Sequence, residues 1–362
     1  MGQLRPPSGR RGTRVAAWGV GLRRRSCDRR AKELTVKISL GYIGAGEWGV
    51  KKHIAAIEYV RDVLGDTNVE LTALCERDPA RAKALAKKYH IKKLYHDLDE
   101  FARDPDINCF SVTVTPSSLV SVLPALARRN LPIFCEKPLG TSYAEAERFA
   151  AIVEACNVVG FNRRFYPIVT RFKEIIASLP PPVFVDASFF RHGRTDSLDH
   201  ASDPTRREPP FVIGTAIHMI NLLEYAIGPI RDVDVTELET GWFCRLQYER
   251  GRSARPVPGA LTILPCCGKH TESIEYHTAD VSVGLLCSLY GDLDYPGKIV
   301  LTKQGREQQI IDGSIDSPRI VNEGFVDEYR EFFSLVRSGG TSRSDFRSAV
   351  NSMRIAEKIE KW

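Results

Sequence analysis

The segment Val36-Lys-Ile-Ser-Leu-Gly-Tyr-Ile-Gly44-Ala-Gly46-Glu-Trp-Gly49 constrains this chain more than any other stretch. Its first part is apolar enough for a strand buried in a parallel sheet, and it runs directly into a glycine-rich turn and then a helical pattern. In that setting G-x-G-x-x-G has a mechanical meaning. Gly44 permits the tight turn, Gly46 lets a ligand approach the backbone, and Gly49 lets the helix close on the strand. A pyrophosphate then sits on the backbone N–H groups of the helix N-terminus, where the dipole favours an anion. The glycine pattern alone is weak, because such turns are common. It becomes specific with the later segment Leu131-Pro-Ile-Phe-Cys-Glu136-Lys137-Pro138-Leu-Gly140.

Between and after these segments, apolar strands alternate with helical stretches, the order of a parallel α/β domain. Strands are expected at Val36–Ile43, Val69–Cys75, Ile107–Thr115 and Pro132–Cys135. Helices are expected at Trp48–Val63, Asp78–Tyr89, Leu119–Arg129 and Ser142–Cys156. Glu76 follows the second strand, where an acid reaches the adenosine ribose hydroxyls and repels a 2′-phosphate. Its neighbour Arg77 is suited to pairing with that phosphate. The balance leans to NAD, with NADP left open.

The motifs Gly41-Tyr-Ile-Gly-Ala-Gly-Glu-Trp-Gly49, Cys75-Glu-Arg-Asp-Pro-Ala-Arg-Ala82, Thr113-Val-Thr-Pro116, Cys135-Glu-Lys-Pro-Leu139 and Gly160-Phe-Asn-Arg-Arg-Phe165 occur in one order. In that order the chain resembles the glucose–fructose oxidoreductase / inositol dehydrogenase / MocA family over residues 36–362, most closely before 165. The resemblance implies an α/β fold in two parts. Residues 34–157 would form a Rossmann NAD(P)-binding domain. Residues 158–362 would form an α+β domain with a large open, mostly antiparallel sheet, closed by C-terminal helices. That sheet commonly mediates homodimers or homotetramers in the family. Cofactor contacts implied are Gly44, Gly46, Glu47, Trp48, Gly49, Glu76, Arg77, Thr115, Pro116, Glu136 and Lys137.

The reaction implied is hydride transfer between nicotinamide and a sugar, cyclitol or related hydroxy or keto compound. Lys137 would reach the reacting oxygen. An unperturbed lysine is a poor base at neutral pH, but desolvation and an oxidised nicotinamide both disfavour its charged form. Histidine needs less tuning. His218 lies in Phe211-Val-Ile-Gly-Thr-Ala-Ile-His-Met-Ile-Asn-Leu-Leu-Glu-Tyr225, where Gly214, His218, Asn221 and Tyr225 make a polar stripe on an apolar helix. The family reading makes His218 the acid/base and places Asn221, Tyr225 and Arg163 toward substrate. Of Arg163 and Arg164, one is expected to pack and one to meet substrate.

Two departures from the family pattern stand out. The position four before His218, often aspartate, is Gly214, and the position three after, often acidic, is Asn221. Either another group or the substrate must supply the missing charge, and the loop from Arg191 to Glu208 offers His192, Arg194, Asp199, His200, Asp203, Arg206 and Arg207. Second, only Asn157-Val-Val159 stands where a full strand is expected, which would truncate the last Rossmann strand and loosen the junction. These departures keep open a non-catalytic cofactor-binding sensor of the same fold, and a defective gene product.

The net charge of +6 belongs to the start of the chain, where residues 1–33 hold ten Lys/Arg against Asp28 and Glu33. The remainder is near neutral, so no nucleic-acid partner is implied. The basic leader has no apolar core for a secretory signal, and Pro6 and Pro7 disfavour a transit helix; it reads as a disordered extension. No apolar run is long enough to cross a bilayer as a helix. The nine cysteines form no C-x-x-C or metal-ligand spacing. They are expected to be reduced thiols in a cytoplasmic protein with no metal. In the second half, strands are expected at Val183–Phe190, Val233–Leu238, Trp242–Gln247, Gly259–Leu264, Glu272–His277, Ser282–Leu289 and Lys298–Thr302, and helices at Phe325–Arg337 and Asp345–Trp362.

Overall fold

Ile38–Ile43 (β1) and Val69–Cys75 (β2) bury nearly every side chain, as strands covered by helices on both faces must. The computed structural model describes residues 36–192, 209–249, 256–287, 296–313 and 316–362. The basic leader therefore lies outside the described residues, as do Arg194, Asp199, His200, Asp203, Arg206 and Arg207.

β1 pairs in parallel with β2 and with Cys109–Val112 (β4). With Lys93–Tyr95 (β3), Ile133–Glu136 (β5) and Asn157–Gly160 (β6), they make a six-stranded sheet ordered β3-β2-β1-β4-β5-β6. The order reverses between β1 and β4, so the crevice at their carboxyl ends is the natural ligand site of such a sheet. The helix after β1 (α1) is continuous, built from a π-helical turn Gly49–Ile54, an α-helical turn Ala55–Glu58 and a π-helical stretch Tyr59–Val63. Pro79–Tyr89 (α2) starts on Asp78, whose carboxylate accepts the Ala80 and Arg81 N–H groups. β3 and Leu98–Arg103 (α3) had no sequence signal, being short and only partly buried. Leu119–Ala127 (α4) and Tyr143–Ile152 (α5) complete the layers.

The expectation of a truncated last strand is corrected. β6 has four residues, as do β4 and β5, and pairs with β5 along its whole length. The junction is tied rather than loosened: Val159 N–H donates to the Ser344 carbonyl at 2.6 Å, and Ser344 Oγ–H donates to the Val159 carbonyl at 2.7 Å. The Rossmann sheet also runs past the expected boundary at 157, to Gly160.

After Pro167–Ala177 (α6), eight strands form the second sheet, ordered β14-β13-β12-β11-β7-β10-β9-β8. They are Phe184–His192 (β7), Ile230–Leu238 (β8), Gly241–Tyr248 (β9), Val257–Cys267 (β10), Thr271–His277 (β11), Val281–Leu286 (β12), Lys298–Lys303 (β13) and Arg306–Asp312 (β14). Every pairing is antiparallel except β7 with β10. β14 escaped the sequence reading because its exposed Arg-Glu-Gln-Gln start shows no apolar alternation. The inner face, with Val185, Ala187, Phe189, Ile263 and Ile274, shares a core with the helix Val212–Ala216 and Ile217–Ala226 (α7) and with Phe346–Glu360 (α10).

After the short turn Arg319–Asn322 (α8), the helix Phe325–Ser338 (α9) departs from the expected division. Its Phe325, Tyr329, Phe332 and Phe333 join the core of Leu40, Ile54, Leu71 and Phe134 beneath the Rossmann sheet. The rings of Phe134 and Tyr329 stack 4.7 Å apart. Burying each such ring stabilises by roughly 1.5–3 kcal/mol, so α9 is an integral wall of the nucleotide-binding half. Among the described residues, no helix is long and apolar enough to cross a membrane.

Candidate active site

The turn after β1 has the geometry a dinucleotide requires. Gly44 has φ +90°, and a Cβ there would stand 2.7 Å from the Thr113 backbone. A Cβ on Gly46 would meet nothing within 4 Å, so the backbone there faces open space at the start of α1. Gly49 closes against Thr113 Oγ1, Tyr42 Oη and the Gly44 carbonyl. Thr113 braces the turn, its Oγ1 lying 2.8 Å from Tyr42 Oη and donating to the Gly44 carbonyl at 2.7 Å. The residues present therefore fit a bound pyrophosphate. Glu47 and Trp48 are exposed at the helix start, and Arg77 is exposed beside Glu76. Glu76 accepts the Asp78 N–H at 3.1 Å, and Arg81 lies 3.8 Å from its other oxygen. Thr115 Oγ1 meets Ser118 Oγ at 2.9 Å, and Pro116 opens a short 3₁₀ turn at the end of β4.

Glu136 ends β5, and its carboxylate is the head of a buried hydrogen-bond chain. Oε1 lies 2.9 Å from His53 Nε2 and 3.4 Å from Trp48 Nε1. His53 Nδ1 lies 3.2 Å from Tyr329 Oη, which lies 2.7 Å from Ser111 Oγ. His53 thus bridges Glu136 and Tyr329 through its two ring nitrogens. Burial opposes ionisation of Glu136, but His53 and Lys137 outweigh it and hold its pKa below the ordinary value. His53 was not singled out in the sequence. The available signal was a lone histidine one helical turn beyond Gly49, followed by Ile54-Ala-Ala-Ile57.

Beyond Glu136 comes the cis Lys137–Pro138 bond. Lys137 Nζ donates to the Gly214 carbonyl at 2.8 Å, so the position where relatives often carry aspartate serves this chain through its backbone. His218 is one turn further along α7, 7% exposed, and its Nδ1 makes no hydrogen bond among the described residues. Burial first, then Arg163, Lys137 and Arg191, push its pKa well below 6.5. It is a neutral imidazole at pH 7, facing three cations.

Arg163 and Arg191 converge on one carboxylate, that of Glu272. Arg163 Nε and Nη2 meet its two oxygens at 3.0 and 2.7 Å, and Arg191 Nη2 meets Oε1 at 2.7 Å. Burial opposes ionisation of Glu272, yet the two guanidiniums hold its pKa at about 2. Arg164 instead turns into the protein interior. Its Nε donates to Asn221 Oδ1 at 2.6 Å, its Nη1 reaches the Arg343 carbonyl, and its guanidinium lies 5.3 Å from the centre of the Tyr225 ring. Asn221 also donates to Ser352 Oγ at 2.9 Å. The polar stripe thus divides: His218 faces Arg163 and Lys137, whereas Asn221 and Tyr225 enclose Arg164. Of the paired arginines, 164 packs and 163 lies toward the cleft. Arg191 and Glu272 were missed as site residues, although both put charge on the inward parity of apolar strands, beside Phe189 and Ile274. Among the described residues no cluster suits a metal ion.

The comparisons agree with this geometry. Residues 38–162 match the model of the oxidoreductase family with the NAD-binding Rossmann fold. Along most of its length the chain is similar to a D-xylose 1-dehydrogenase (NADP(+)) of Haloferax volcanii, 26% identical and covering 88% of this chain and 95% of that one. An inositol 2-dehydrogenase of Acidothermus cellulolyticus is 34% identical, over 39% of this chain and 41% of its own length. The chain spans about half the length of the Salmonella typhimurium inositol 2-dehydrogenase it matches, 48%. Among solved structures, a levoglucosan dehydrogenase complexed with NADH and levoglucosan superposes with TM-score 0.72, 16% identity and coverage of 90% and 97%. KijD10, a 3-ketoreductase of Actinomadura kijaniata, does so with TM-score 0.69, 15% identity and coverage of 90% and 98%. The glycine turn, the Glu-Lys-Pro segment and the two-sheet architecture therefore converge on an NAD(P)-binding oxidoreductase, whose residues 38–162 match the NAD-binding Rossmann fold of the oxidoreductase family and which is similar to a sugar dehydrogenase along most of its length and to cyclitol dehydrogenases over part of it.

Proposed function

We propose that the protein interconverts an alcohol and a carbonyl on a sugar, cyclitol or related compound, using His218 as acid/base and Lys137 to hold the reacting oxygen. The observation that carries this reading is His218 itself, a buried imidazole kept neutral at pH 7 beside Lys137. Bound nicotinamide would supply the hydride acceptor or donor. In the oxidative direction His218 takes the hydroxyl proton and becomes an imidazolium; in the reductive direction it returns it. Lys137, anchored on the Gly214 carbonyl, would present Nζ to the substrate oxygen. Glu136, fixed through His53 and Trp48, keeps the Lys137 backbone in register.

Gly44, Gly46 and Gly49 would hold the pyrophosphate, and Glu47, Trp48, Thr115 and Pro116 would line its path toward the nicotinamide. Glu76 favours NAD over NADP, because its carboxylate side chain lies largely inside the turn while Arg77 is exposed. Homodimers or homotetramers would form on the outer face of the open sheet, where Phe184, Phe243, Arg245 and Pro258 line a groove. A reducing, cytoplasmic setting suits the free thiols.

Titration of the purified full chain with NADH and NADPH, followed by a substrate panel with His218→Ala as control, tests the reading. Cofactor binding with turnover that the variant loses supports it. Cofactor binding without turnover on any alcohol or ketone replaces it with the sensor reading. No cofactor binding to folded protein overturns both.

A further inference from the structure

We propose that the substrate carries a carboxylate, seated against Arg191 and Arg163 on the inner face of the open sheet; the inference rests on the oxidoreductase reading and names its substrate class. The argument starts from strand parity. Val185, Ala187, Phe189 and Arg191 alternate onto the inward face of β7, and Glu272 of β11 pairs directly with Phe189. The sheet therefore carries the Arg191 guanidinium and the Glu272 carboxylate into the space that His218 faces from α7, and Arg163 joins them from the 3₁₀ turn Asn162–Phe165 after β6. Their side chains are only 15% (Arg163), 14% (Arg191) and 2% (Glu272) exposed. Charges this buried need compensation.

Glu272 is fully committed: Arg163 grips both of its oxygens, and Arg191 shares Oε1. Arg163 places Nη1 on Asn162 Oδ1 at 3.1 Å. Arg191 has only one Nη2 bond to Glu272 and a 3.3 Å contact from Nη1 to the Phe190 carbonyl, so its Nε–H makes no hydrogen bond among the described residues. Its guanidinium stacks 3.8 Å from the Phe189 ring centre, which fixes the direction of the fork. Lys137 adds a third cation, and Glu136 and Glu272 are the anions in the set. Among the described residues, with His218 neutral, this set is left one positive charge in excess, and an oxidised nicotinamide would add another. Aspartate at 214, one turn before His218, would cancel that excess; this chain has Gly214. A neutral polyol leaves the excess standing, whereas a sugar acid neutralises it through a fork already pointed at the site.

The test compares matched pairs on the full-length protein: D-glucuronate with D-glucose, D-galacturonate with D-galactose and D-xylonate with D-xylose, each with NAD and NADP. The acid of each pair is expected to show kcat/KM higher by at least about tenfold, carried by KM. Arg191→Leu lowers the acid-to-sugar ratio by roughly ten- to a hundredfold, the effect of one charge-assisted bond, and Arg191→Lys restores part of it. Melting-temperature shifts with the same pairs read the preference without turnover. Equal or sugar-favouring kcat/KM and equal shifts overturn the inference while leaving the oxidoreductase reading intact. If NADH and NADPH fail to bind, that reading falls, and the acid-over-sugar shift still decides whether the cationic cleft takes carboxylates.

Discussion

His53 on α1 and Glu136 at the end of β5 are 83 positions apart and meet through a 2.9 Å hydrogen bond, His53 being wholly buried. The bond joins the helix that follows the glycine turn to the strand that ends before Lys137, so the proposed phosphate and nicotinamide ends of the site are mechanically linked. His53→Ala leaves both Glu136 and Tyr329 short of a partner and opens a cavity. It is expected to destabilise the fold by about 2–4 kcal/mol, read as a lower urea midpoint. Because Glu136 is more acidic in the folded chain than unfolded, its stabilising contribution is present above its ordinary pKa of 4.5 and is lost as pH falls below that value. His53→Ala should therefore flatten the acid limb of stability.

His218 produces a different pH signature. Its folded pKa is pushed down, so the unfolded chain binds this proton more readily, and stability rises as pH climbs toward 6.5 and then levels off. Activity in the oxidative direction should be flat from about pH 6.5 upward as far as His218 is concerned, with its loss confined to acid. His218→Ala is expected to lower kcat roughly 10²–10⁴-fold while nicotinamide binding, measured by fluorescence titration, persists.

Glu328 on α9 is fully buried, and among the described residues neither of its carboxyl oxygens has a hydrogen-bond partner. Burial, reinforced by Glu136 and Glu331, raises its pKa well above 4.5. A raised carboxyl contributes most below the unfolded value, and that contribution is lost as pH rises from 4.5 toward the folded pKa. Glu328→Met removes the unpaired group and should stabilise the protein by about 1–3 kcal/mol at pH 7–8. The gain should be smaller at pH 5. Denaturant titrations at the two pH values measure both effects.

The two glycines of the turn should fail in different ways. Gly44→Ala places a methyl 2.7 Å from the Thr113 backbone at a positive φ, so the defect appears in folding and solubility. Gly46→Ala meets open space and should fold normally, yet weaken NADH binding at least tenfold, because the methyl occupies the approach of the phosphate. Calorimetric melting and NADH titration separate the two outcomes. Glu76→Ala should weaken NADH more than NADPH and narrow the gap between them.

The sequence showed β1, β2 and the glycine turn because strands buried on both faces have no choice but continuous apolar residues. Lys137 and His218 were singled out through the family resemblance rather than through local pattern. The partners of His218 were not. Arg191 and Glu272 lie 81 positions apart and meet only because β7 and β11 pair in one register, which local pattern does not encode. The same holds for Asn221 and Tyr225, whose spacing from His218 put them on one stripe, while Arg164 drew them the other way. The reading of β6 as truncated failed because the strand runs on to Gly160 and because Ser344, far along the chain, bonds its outer edge at Val159.

Because Phe325, Tyr329, Phe332 and Phe333 complete the core under the first sheet, the nucleotide-binding half is not finished when the ribosome has passed it. Its strands must wait, with an uncovered apolar face, until residues 325–333 have been made, long after the last strand of that sheet at Asn157–Gly160. A premature stop between the two sheets therefore yields no free-standing cofactor-binding fragment, but a product exposed to chaperones and proteases.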